Sequence, residues 1–243
     1  MRDWFFDKTI SFFLLVIFSP LISLFLFLIW AQDFFSPFYV AKRVGKDDCE
    51  FDMIKLRSMK KGADKSGVDS TSSSDQRITA IGHFIRKYKI DELSQLFNVI
   101  SGHMVLVGPR PNVKRETDLY TQEEKRILTV KPGITDLSSI VFADEGDILT
   151  NSADPDIDYN QLIRPWKSRL CLFYVDHKNL CLDIKILFLT VLNFFDRTSS
   201  LRKIKEILRS SGVSDEDFLA VVERSIPLKP TPPPGAKDIV TSR

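Results

Sequence analysis

One uninterrupted apolar segment near the N-terminus limits what this chain can fold into. Residues 10–30 read ISFFLLVIFSPLISLFLFLIW and contain no charged side chain. At about 1.5 Å of rise per residue, roughly 20 helical residues can cross the hydrocarbon core of a bilayer. A cleaved signal peptide normally has a shorter apolar run followed by a small-residue cleavage site, and no such site precedes Asp33. The sequence therefore predicts a membrane helix over residues 1–32.

Two topologies remain open for this helix. Ser19 and Pro20 lie in its middle, where a proline removes a backbone hydrogen bond and bends the helix. Basic residues flank the segment on both sides, so the positive-inside rule does not orient a full span. The helix is therefore either re-entrant, bent at Ser19-Pro20 with both ends on the cytoplasmic face, or an ordinary bitopic anchor.

The remaining length and charge indicate one compact domain over residues 33–225. The 34 Lys and Arg residues nearly balance the 32 Asp and Glu residues, which argues against a nucleic-acid partner. The three cysteines and three histidines stand at no zinc-ligand spacing, as expected in a reducing compartment. Residues 226–243 are proline-rich and predicted to be disordered. We expect an α+β fold that is mainly helical.

Local patterns predict several elements of this domain. Residues 51–60 alternate like a strand, which would place Lys55 and Arg57 on one face. Residues 61–76 form a polar loop, either a lid or a connector, and the acidic segment 144–158 lines a pocket or forms a surface loop. The run 184–195 is too short for a second confident span, so a packed or interfacial helix is expected.

A further amphipathic helix is predicted near residue 204. Leu201, Ile204 and Leu208 share one face, with basic residues on the other sides. This pattern fits a helix lying on an anionic membrane, and it fits equally a helix docked on its own domain.

Two adjacent carboxylates open a predicted helix. Asp91 stands where an N-cap is expected, and Gly102 stands where a C-cap is expected. The apolar residues between them follow helical spacing, namely Leu93, Leu96, Phe97 and Ile100. Without further context, Asp91 can be a capping residue and Glu92 a first-turn acid that serve only the helix.

The same pair also suits phosphoryl chemistry. Neighbouring helical residues point about 100° apart, so Asp91 and Glu92 cannot face each other as a glycosidase pair does. A helix N-terminus attracts phosphate, and carboxylates there can hold Mg²⁺ or attack phosphorus. Arg110 lies between two prolines that fix its direction. The cations available to neutralise a diphosphate are Lys55, Arg57, Arg86 and Arg110.

Residues 89–113, KIDELSQLFNVISGHMVLVGPRPNV, resemble the signature of the bacterial sugar transferase family, the small monotopic polyprenyl-phosphate phosphoglycosyl transferases. The resemblance extends over residues 8–195. It includes the central Ser19-Pro20, the segment KLRSM at 55–59, Arg86, KPGIT at 131–135 and LDIK at 182–185. Order and spacing both match.

The resemblance implies an enzyme at the cytoplasmic face of the bacterial inner membrane, held by a re-entrant helix. Such enzymes transfer a sugar-1-phosphate from a nucleoside diphosphate sugar, usually a UDP-sugar, to a polyprenol phosphate such as undecaprenyl phosphate. UMP leaves, and the product enters exopolysaccharide, lipopolysaccharide or other glycoconjugate synthesis. The implied partners are the UDP-sugar, the polyprenol phosphate and membrane lipid, and a homo-oligomer remains possible.

The resemblance also implies residue roles. Asp91 would be the nucleophile that forms a phosphosugar-aspartyl intermediate, and Glu92, with Asp91, would hold Mg²⁺. The substrate-binding residues carried over are Lys55, Arg57, Arg86, Arg110 and Asp183.

Departures from the family pattern leave some points open. Ser94 stands at a common proline position, His103 replaces a usual Asp, and the sequence of residues 135–140 leaves the sugar unidentified. One alternative is a catalytically inactive, membrane-tethered interaction protein with the same fold, which would be expected to lack part of the charged set. Another is a bitopic anchor that presents an outside domain, away from the cytoplasmic nucleotide sugar.

Overall fold

The computed structural model describes residues 2–63, 75–150 and 152–241, and within them the chain is mainly helical. Most of the loop predicted at 61–76 lies outside the described residues. The helices are α1 Arg2–Asp33, α2 Ala80–Lys87, α3 Leu96–Ser101, α4 Lys114–Thr117, α5 Leu137–Val141, α6 Glu145–Ile148, α7 Pro155–Asp158, α8 Arg164–His177, α9 Leu180–Phe195, α10 Arg197–Ser210 and α11 Glu216–Val222. The strands are β1 Phe38–Val44, β2 Glu50–Leu56, β3 Val105–Val107 and β4 Gly133–Thr135.

The first two strands form an antiparallel hairpin. Its register pairs Phe38 with Leu56 and Val44 with Glu50. Phe51, Met53 and Leu56 are buried, so the predicted strand is confirmed. It ends at Leu56, however, one residue before Arg57.

The other two strands pair in parallel and approach each other unusually closely where they end. Val105 pairs with Gly133, and Val107 pairs with Thr135. A Cβ atom added to Gly133 would lie 2.1 Å from the backbone nitrogen of Gly108. Only glycine fits there, and the close approach seats the turn after β3 directly against β4.

Helix α1 is continuous through Pro20. The hydroxyl of Ser19 donates to the carbonyl of Val16 at 2.8 Å, the acceptor that a backbone N–H at position 20 would otherwise use. Ser19 thus satisfies the carbonyl that the proline leaves without its helical partner.

Both halves of α1 pack on the same domain. In the first half, Ile10 and Leu14 lie against the main core, while Phe25 and Ile29 in the second half pack with Ile85 in a smaller cluster. Among the described residues, α1 is the one helix long and apolar enough to cross a membrane, over Phe5–Asp33. Only 17% of its most apolar window is buried within the protein, unlike the core helix of a soluble domain.

The main core is built by α5 and α8 to α11. Its fully buried side chains include Ile163, Leu170, Ile186, Ile204 and Leu219. Leu201, Ile204 and Leu208 all face this core, so α10 is docked on its own domain. Of the two interpretations of this pattern, the structure supports a helix docked on its own domain over a helix lying on a membrane.

Helix α9 is packed on one side and open on the other. Leu182, Ile186 and Leu189 are buried. The opposite side exposes Ile184, Phe188, Val191, Phe194 and Phe195. An exposed apolar surface of this size is unusual on a soluble monomer and is typical of a face that contacts a membrane or another protein.

The C-terminal segment 226–241 contains no helix or strand but is attached to the domain. The backbone N–H of Thr231 donates to the Gln161 carbonyl at 3.0 Å, and the Gln161 amide donates to the Val240 carbonyl at 2.7 Å. The Thr121 hydroxyl donates to the Pro234 carbonyl at 2.5 Å. The disorder expected for residues 226–243 stays a prediction, and these hydrogen bonds argue against it.

Candidate active site

A wide cleft of about 2440 Å³ opens between α1, the β1–β2 hairpin, α2 and the segment that joins α5 to α6. One side is apolar and formed by α1 and α9. The other side carries the charged residues Lys55, Arg86, Asp91, Glu92 and Arg110.

The carboxylate pair lies in a tight first turn, not at a helix N-cap. Residues Ile90–Gln95 form a 3₁₀ helix whose N-cap is Lys89, in the left-handed region at φ 56°. The N-cap role predicted for Asp91 is therefore wrong, because Asp91 lies inside the turn. Its carboxylate is thereby free of capping and turned toward the cleft side chain of Lys55.

The tight turn also changes which side chains are buried. A 3₁₀ helix has 3.0 residues per turn and an α-helix has 3.6. The buried face of the chain is therefore rotated, before α3 begins, from the position that α-helical spacing predicts. Leu96 is buried, whereas Phe97 is 46% exposed, contrary to the predicted apolar face. Gly102 ends α3 in the left-handed region at φ 89°, which confirms the predicted C-cap.

Asn98 fixes this helix to the strand that carries Lys55. Its side-chain amide donates to the Asp52 carbonyl at 2.7 Å and its Oδ1 accepts the Ile54 N–H at 2.9 Å. The Ser94 hydroxyl lies 3.1 Å from the Ile54 carbonyl, a contact that proline could not make. Sequence reasoning missed Asn98, whose only signal was a polar residue within the apolar pattern.

Asp91 is buried yet incompletely bonded. Its exposed fraction is 7% and its Oδ2 lies 3.7 Å from Nζ of Lys55. Among the residues that the structure describes, its Oδ1 has no hydrogen-bond partner. Burial raises the pKa of Asp91, and the positive charge of Lys55 opposes that rise. The site thus holds a carboxylate oxygen to which no described residue donates a hydrogen bond.

Glu92 is in a different electrostatic state from its neighbour. Its Oε1 lies 2.7 Å from Nη2 of Arg110 and 3.7 Å from Nζ of Lys55. Burial alone would raise the pKa of Glu92, but Arg110 and Lys55 outweigh it and hold the pKa well below its usual range. Glu92 is therefore a stable anion.

Lys55 lies between the two carboxylates. Burial, followed by repulsion from Arg110, lowers the pKa of Lys55 to about 8, although Asp91 and Glu92 pull it upward. The ammonium group is close to both acids and remains charged at neutral pH. It can balance charge that builds up between them.

The turn after β3 holds Arg110 as the two prolines predict. The Gly108 N–H donates to the Thr135 carbonyl, and the Gly133 N–H donates to the Pro109 carbonyl, each at 3.0 Å. The guanidinium is thereby directed at Glu92.

The remaining predicted cations have different placements. Arg86 lines the cleft, and no ion pair within 4 Å engages it in the part of the chain that the structure describes. Arg57 borders the cleft, but its guanidinium is bound to Asp33 at 2.5 and 2.6 Å. In this structure Arg57 thus binds the end of the membrane helix, and its predicted contact with substrate stays a prediction.

Asp183 is not brought to the cleft. It lies in the first turn of α9, and its Oδ1 is 2.8 Å from the hydroxyl of Tyr174, which is also 2.9 Å from the Val107 carbonyl. This placement ties α8 and α9 to β3. Its predicted contact with substrate has no support in this geometry.

The first residues of the acidic segment form part of the cleft lining. Asp144 and Glu145 line the cleft, with Lys167 and Arg197 beside them. Glu145 is paired with Lys167, and Asp144 with Arg197. The predicted pocket role of the segment is supported for its first half, whereas both cations were missed because nothing in their local sequence marks them.

A divalent cation fits the donor set. Mg²⁺ is typically held by one or two carboxylates together with substrate phosphates and water, and Asp91, whose Oδ1 has no hydrogen-bond partner among the described residues, and the anionic Glu92 supply two such groups. No cluster of three or more His, Cys, Asp or Glu side chains suited to a metal occurs within the described ranges. The rest of such a coordination sphere would therefore come from substrate phosphates and water.

These features define a class of site. A buried carboxylate pair lies close to three cations, in a cleft that is bordered by an apolar helix of the membrane type. The sequence comparison agrees with that class. Residues 1–197 match the model of the bacterial sugar transferase family, and the chain belongs to this family.

Three relatives illustrate the similarity. The chain is 35% identical over 195 residues to an undecaprenyl-phosphate glucose phosphotransferase of Komagataeibacter xylinus, covering 76% of this chain and 34% of the relative. It is 34% identical over 200 residues to an undecaprenyl-phosphate galactose phosphotransferase of Salmonella typhimurium, covering 76% and 38%. It is 30% identical over 178 residues to the UDP-N-acetylgalactosamine-undecaprenyl-phosphate N-acetylgalactosaminephosphotransferase of Aeromonas hydrophila, covering 72% and 39%. The matched region is thus well under half of these relatives' length.

Proposed function

We propose that this protein transfers a sugar-1-phosphate from a UDP-sugar to polyprenol phosphate, through a phosphosugar-aspartyl intermediate on Asp91. The observation that carries the proposal is the buried Asp91 Oδ1, which accepts no hydrogen bond from any described residue, although Lys55 lies beside Asp91 and Arg110 binds the adjacent Glu92. Three relatives that act on undecaprenyl phosphate, as their names state, support the acceptor.

The first step is an attack on phosphorus. The diphosphate enters with its charge balanced by Lys55, Arg86 and Arg110, and the Asp91 carboxylate attacks the phosphorus that carries the sugar. A bond forms between an Asp91 oxygen and phosphorus, and the bond from phosphorus to the bridging oxygen breaks. UMP leaves with that oxygen and the electron pair.

The second step regenerates the enzyme. A phosphate oxygen of the polyprenol phosphate attacks the same phosphorus, and the bond between phosphorus and the Asp91 oxygen breaks, which releases a polyprenyl diphosphosugar and the free carboxylate. Glu92 stays anionic throughout and orients Arg110. Mg²⁺, when held by Glu92 and Asp91 with the substrate phosphates, would supply charge neutralisation at the diphosphate.

The proposed location is the cytoplasmic face of the bacterial inner membrane, with α1 re-entrant. A helix that crossed straight through the bilayer would carry one of its ends away from the domain, yet both halves of α1 pack on it. The exposed apolar face of α9 would lie in the membrane interface. This placement brings a lipid-borne phosphate to the cleft.

The function is tested by UMP release in purified, membrane-reconstituted protein supplied with Mg²⁺ and undecaprenyl phosphate. A panel of UDP-glucose, UDP-galactose and UDP-N-acetylgalactosamine identifies the sugar. Asp91→Asn should abolish release, whereas the exposed control Asp118→Asn should retain it. No release with any sugar, as expected of an inactive interaction protein, or full release from Asp91→Asn, would refute the proposal.

A further inference from the structure

The corner where α1 ends is unusually well fixed. Phe34 follows the helix in the left-handed region at φ 59°, a conformation that a bulky side chain rarely adopts and that needs support from its surroundings. The Phe34 N–H donates to the Trp30 carbonyl at 2.7 Å. The Phe35 N–H donates to Oδ1 of Asp33 at 3.1 Å. The chain thus turns sharply from α1 toward β1 in one defined direction.

Arg57, the residue directly after β2, binds the end of α1 at this corner. Its Nη1 donates to Oδ2 of Asp33 at 2.6 Å and its Nη2 donates to Oδ1 at 2.5 Å. Nη2 also lies 3.5 Å from the Ile29 carbonyl in the last turn of α1, where a cation is favoured by the helix dipole. Arg57 is buried, with 8% of it exposed, whereas the Asp33 side chain is 27% exposed. The bidentate geometry makes the pair directionally specific.

The backbone of Arg57 reinforces the same junction. Its N–H donates to the Pro37 carbonyl at 2.8 Å, so the strand after Leu56 is held against the segment that leaves α1. Lys55, which contacts both carboxylates of the site, is only two residues away, roughly 7 Å along an extended chain. One short stretch of β2 and its continuation therefore contacts the membrane helix at Arg57 and the reacting groups at Lys55.

We propose that Asp33 and Arg57 form a positioning pair that fixes α1 to β2 and thereby sets the height at which an acceptor phosphate, carried by a membrane lipid, meets Asp91. This inference rests on the proposed function. Because the Arg57 guanidinium is engaged by Asp33, loss of the pair should affect the second step, which depends on membrane placement, much more than the first step with the water-soluble UDP-sugar.

The two steps can be measured separately in one reconstituted preparation. Without acceptor, UMP release is limited to one equivalent per enzyme and reports the first step. With undecaprenyl phosphate in the same vesicles, turnover reports both. The variants are Asp33→Asn, Arg57→Gln and the charge swap Asp33→Arg with Arg57→Asp. The matched control is Asp52→Asn, which removes an exposed carboxylate paired with Lys42 on the same hairpin.

Each single variant should retain the stoichiometric UMP burst and lose about tenfold or more of its turnover with the lipid acceptor, since small misplacements of reactants have effects of this size. The charge swap should recover most of the turnover, and Asp52→Asn should match the wild type. Unchanged turnover in both single variants would overturn the inference. Equal loss of burst and turnover without recovery in the swap would also overturn it, because Arg57 would then act on substrate or only on folding.

Thermal unfolding in detergent provides a readout that does not need activity. Each single variant should unfold at a lower temperature than the wild type, and the charge swap should regain part of the loss. If the wild type releases no UMP from any UDP-sugar, the proposed function fails while this cycle still judges the pair. Additive losses in the cycle would show that Asp33 and Arg57 do not act together.

Discussion

Two chemically similar acids, Asp91 and Glu92, differ in their electrostatic state because different side chains surround them. Arg110 and Lys55 keep Glu92 ionised, whereas Asp91 retains an oxygen without a donor. The sequence identified both acids and three of the cations that approach them. It could not assign Arg57, because strand alternation predicts the face of a side chain but not where the strand ends or which partner lies opposite.

Replacing Arg110 tests how much its fixed guanidinium contributes. Arg110→Lys keeps a positive charge but loses the planar geometry that reaches Glu92, so kcat/KM for UMP release should fall by about 10- to 100-fold, and Arg110→Gln should cost more. Steady-state kinetics would measure both, with Arg126→Lys, an exposed cation paired with Asp176, as the control. Wild-type kinetics in Arg110→Gln would exclude a role at the diphosphate.

At the scale of elements, the site depends on how a short helix is attached to a strand. The sequence predicted both elements and the end of the helix at Gly102, since these follow from periodicity and glycine's access to positive φ. It did not predict the 3₁₀ turn that begins at Ile90, nor the left-handed Lys89 before it. Those features depend on the fit to β2, which involves residues more than 30 positions away.

The Asn98 contact should therefore matter for stability. Asn98→Ala removes both hydrogen bonds to the edge of β2 and leaves the Ile54 N–H without a partner, which should cost about 1–3 kcal/mol of the free energy of unfolding. Denaturant unfolding in detergent would measure it. Ser101→Ala, at the exposed end of α3, should cost less, and an equal cost in both would contradict the role given to Asn98.

The topology of α1 can be read from cysteine labelling. Cys49 and Cys181 are exposed and Cys171 is buried, so Arg2→Cys in a Cys181→Ser background leaves Cys49 as a reference on the domain side. A re-entrant helix predicts that positions 2 and 49 react with an impermeant reagent from the same side of sealed vesicles. Reaction from opposite sides would show a bitopic helix.

At the scale of the whole molecule, a membrane-type helix and a charged cleft are parts of one packed unit. The long apolar run and the helical spacing of apolar residues were enough to predict the apolar helix and a mainly helical domain. The substrate contact that the resemblance implies for Asp183 stays a prediction, and in the fold this carboxylate accepts a hydrogen bond from Tyr174. The order of residues along the chain does not identify a hydrogen-bond partner that the fold brings close.

Removal of divalent cations tests the assembled site with its substrate. Because the protein supplies only two carboxylates to such an ion, the rest of its coordination must come from the diphosphate and water. Treatment with EDTA should therefore abolish UMP release, added Mg²⁺ should restore it, and thermal unfolding without substrate should hardly change. Full activity after exhaustive chelation would contradict the proposed role of Glu92.

The most direct test of the central claim is the intact mass of the protein after incubation with its UDP-sugar and Mg²⁺ in the absence of polyprenol phosphate. The proposed phosphosugar-aspartyl intermediate predicts a mass increase equal to one sugar-phosphate group, located on Asp91 by peptide mapping, absent in Asp91→Asn and lost when undecaprenyl phosphate is added. An active enzyme that shows no adduct under rapid quenching, or an adduct that persists in Asp91→Asn, would contradict it.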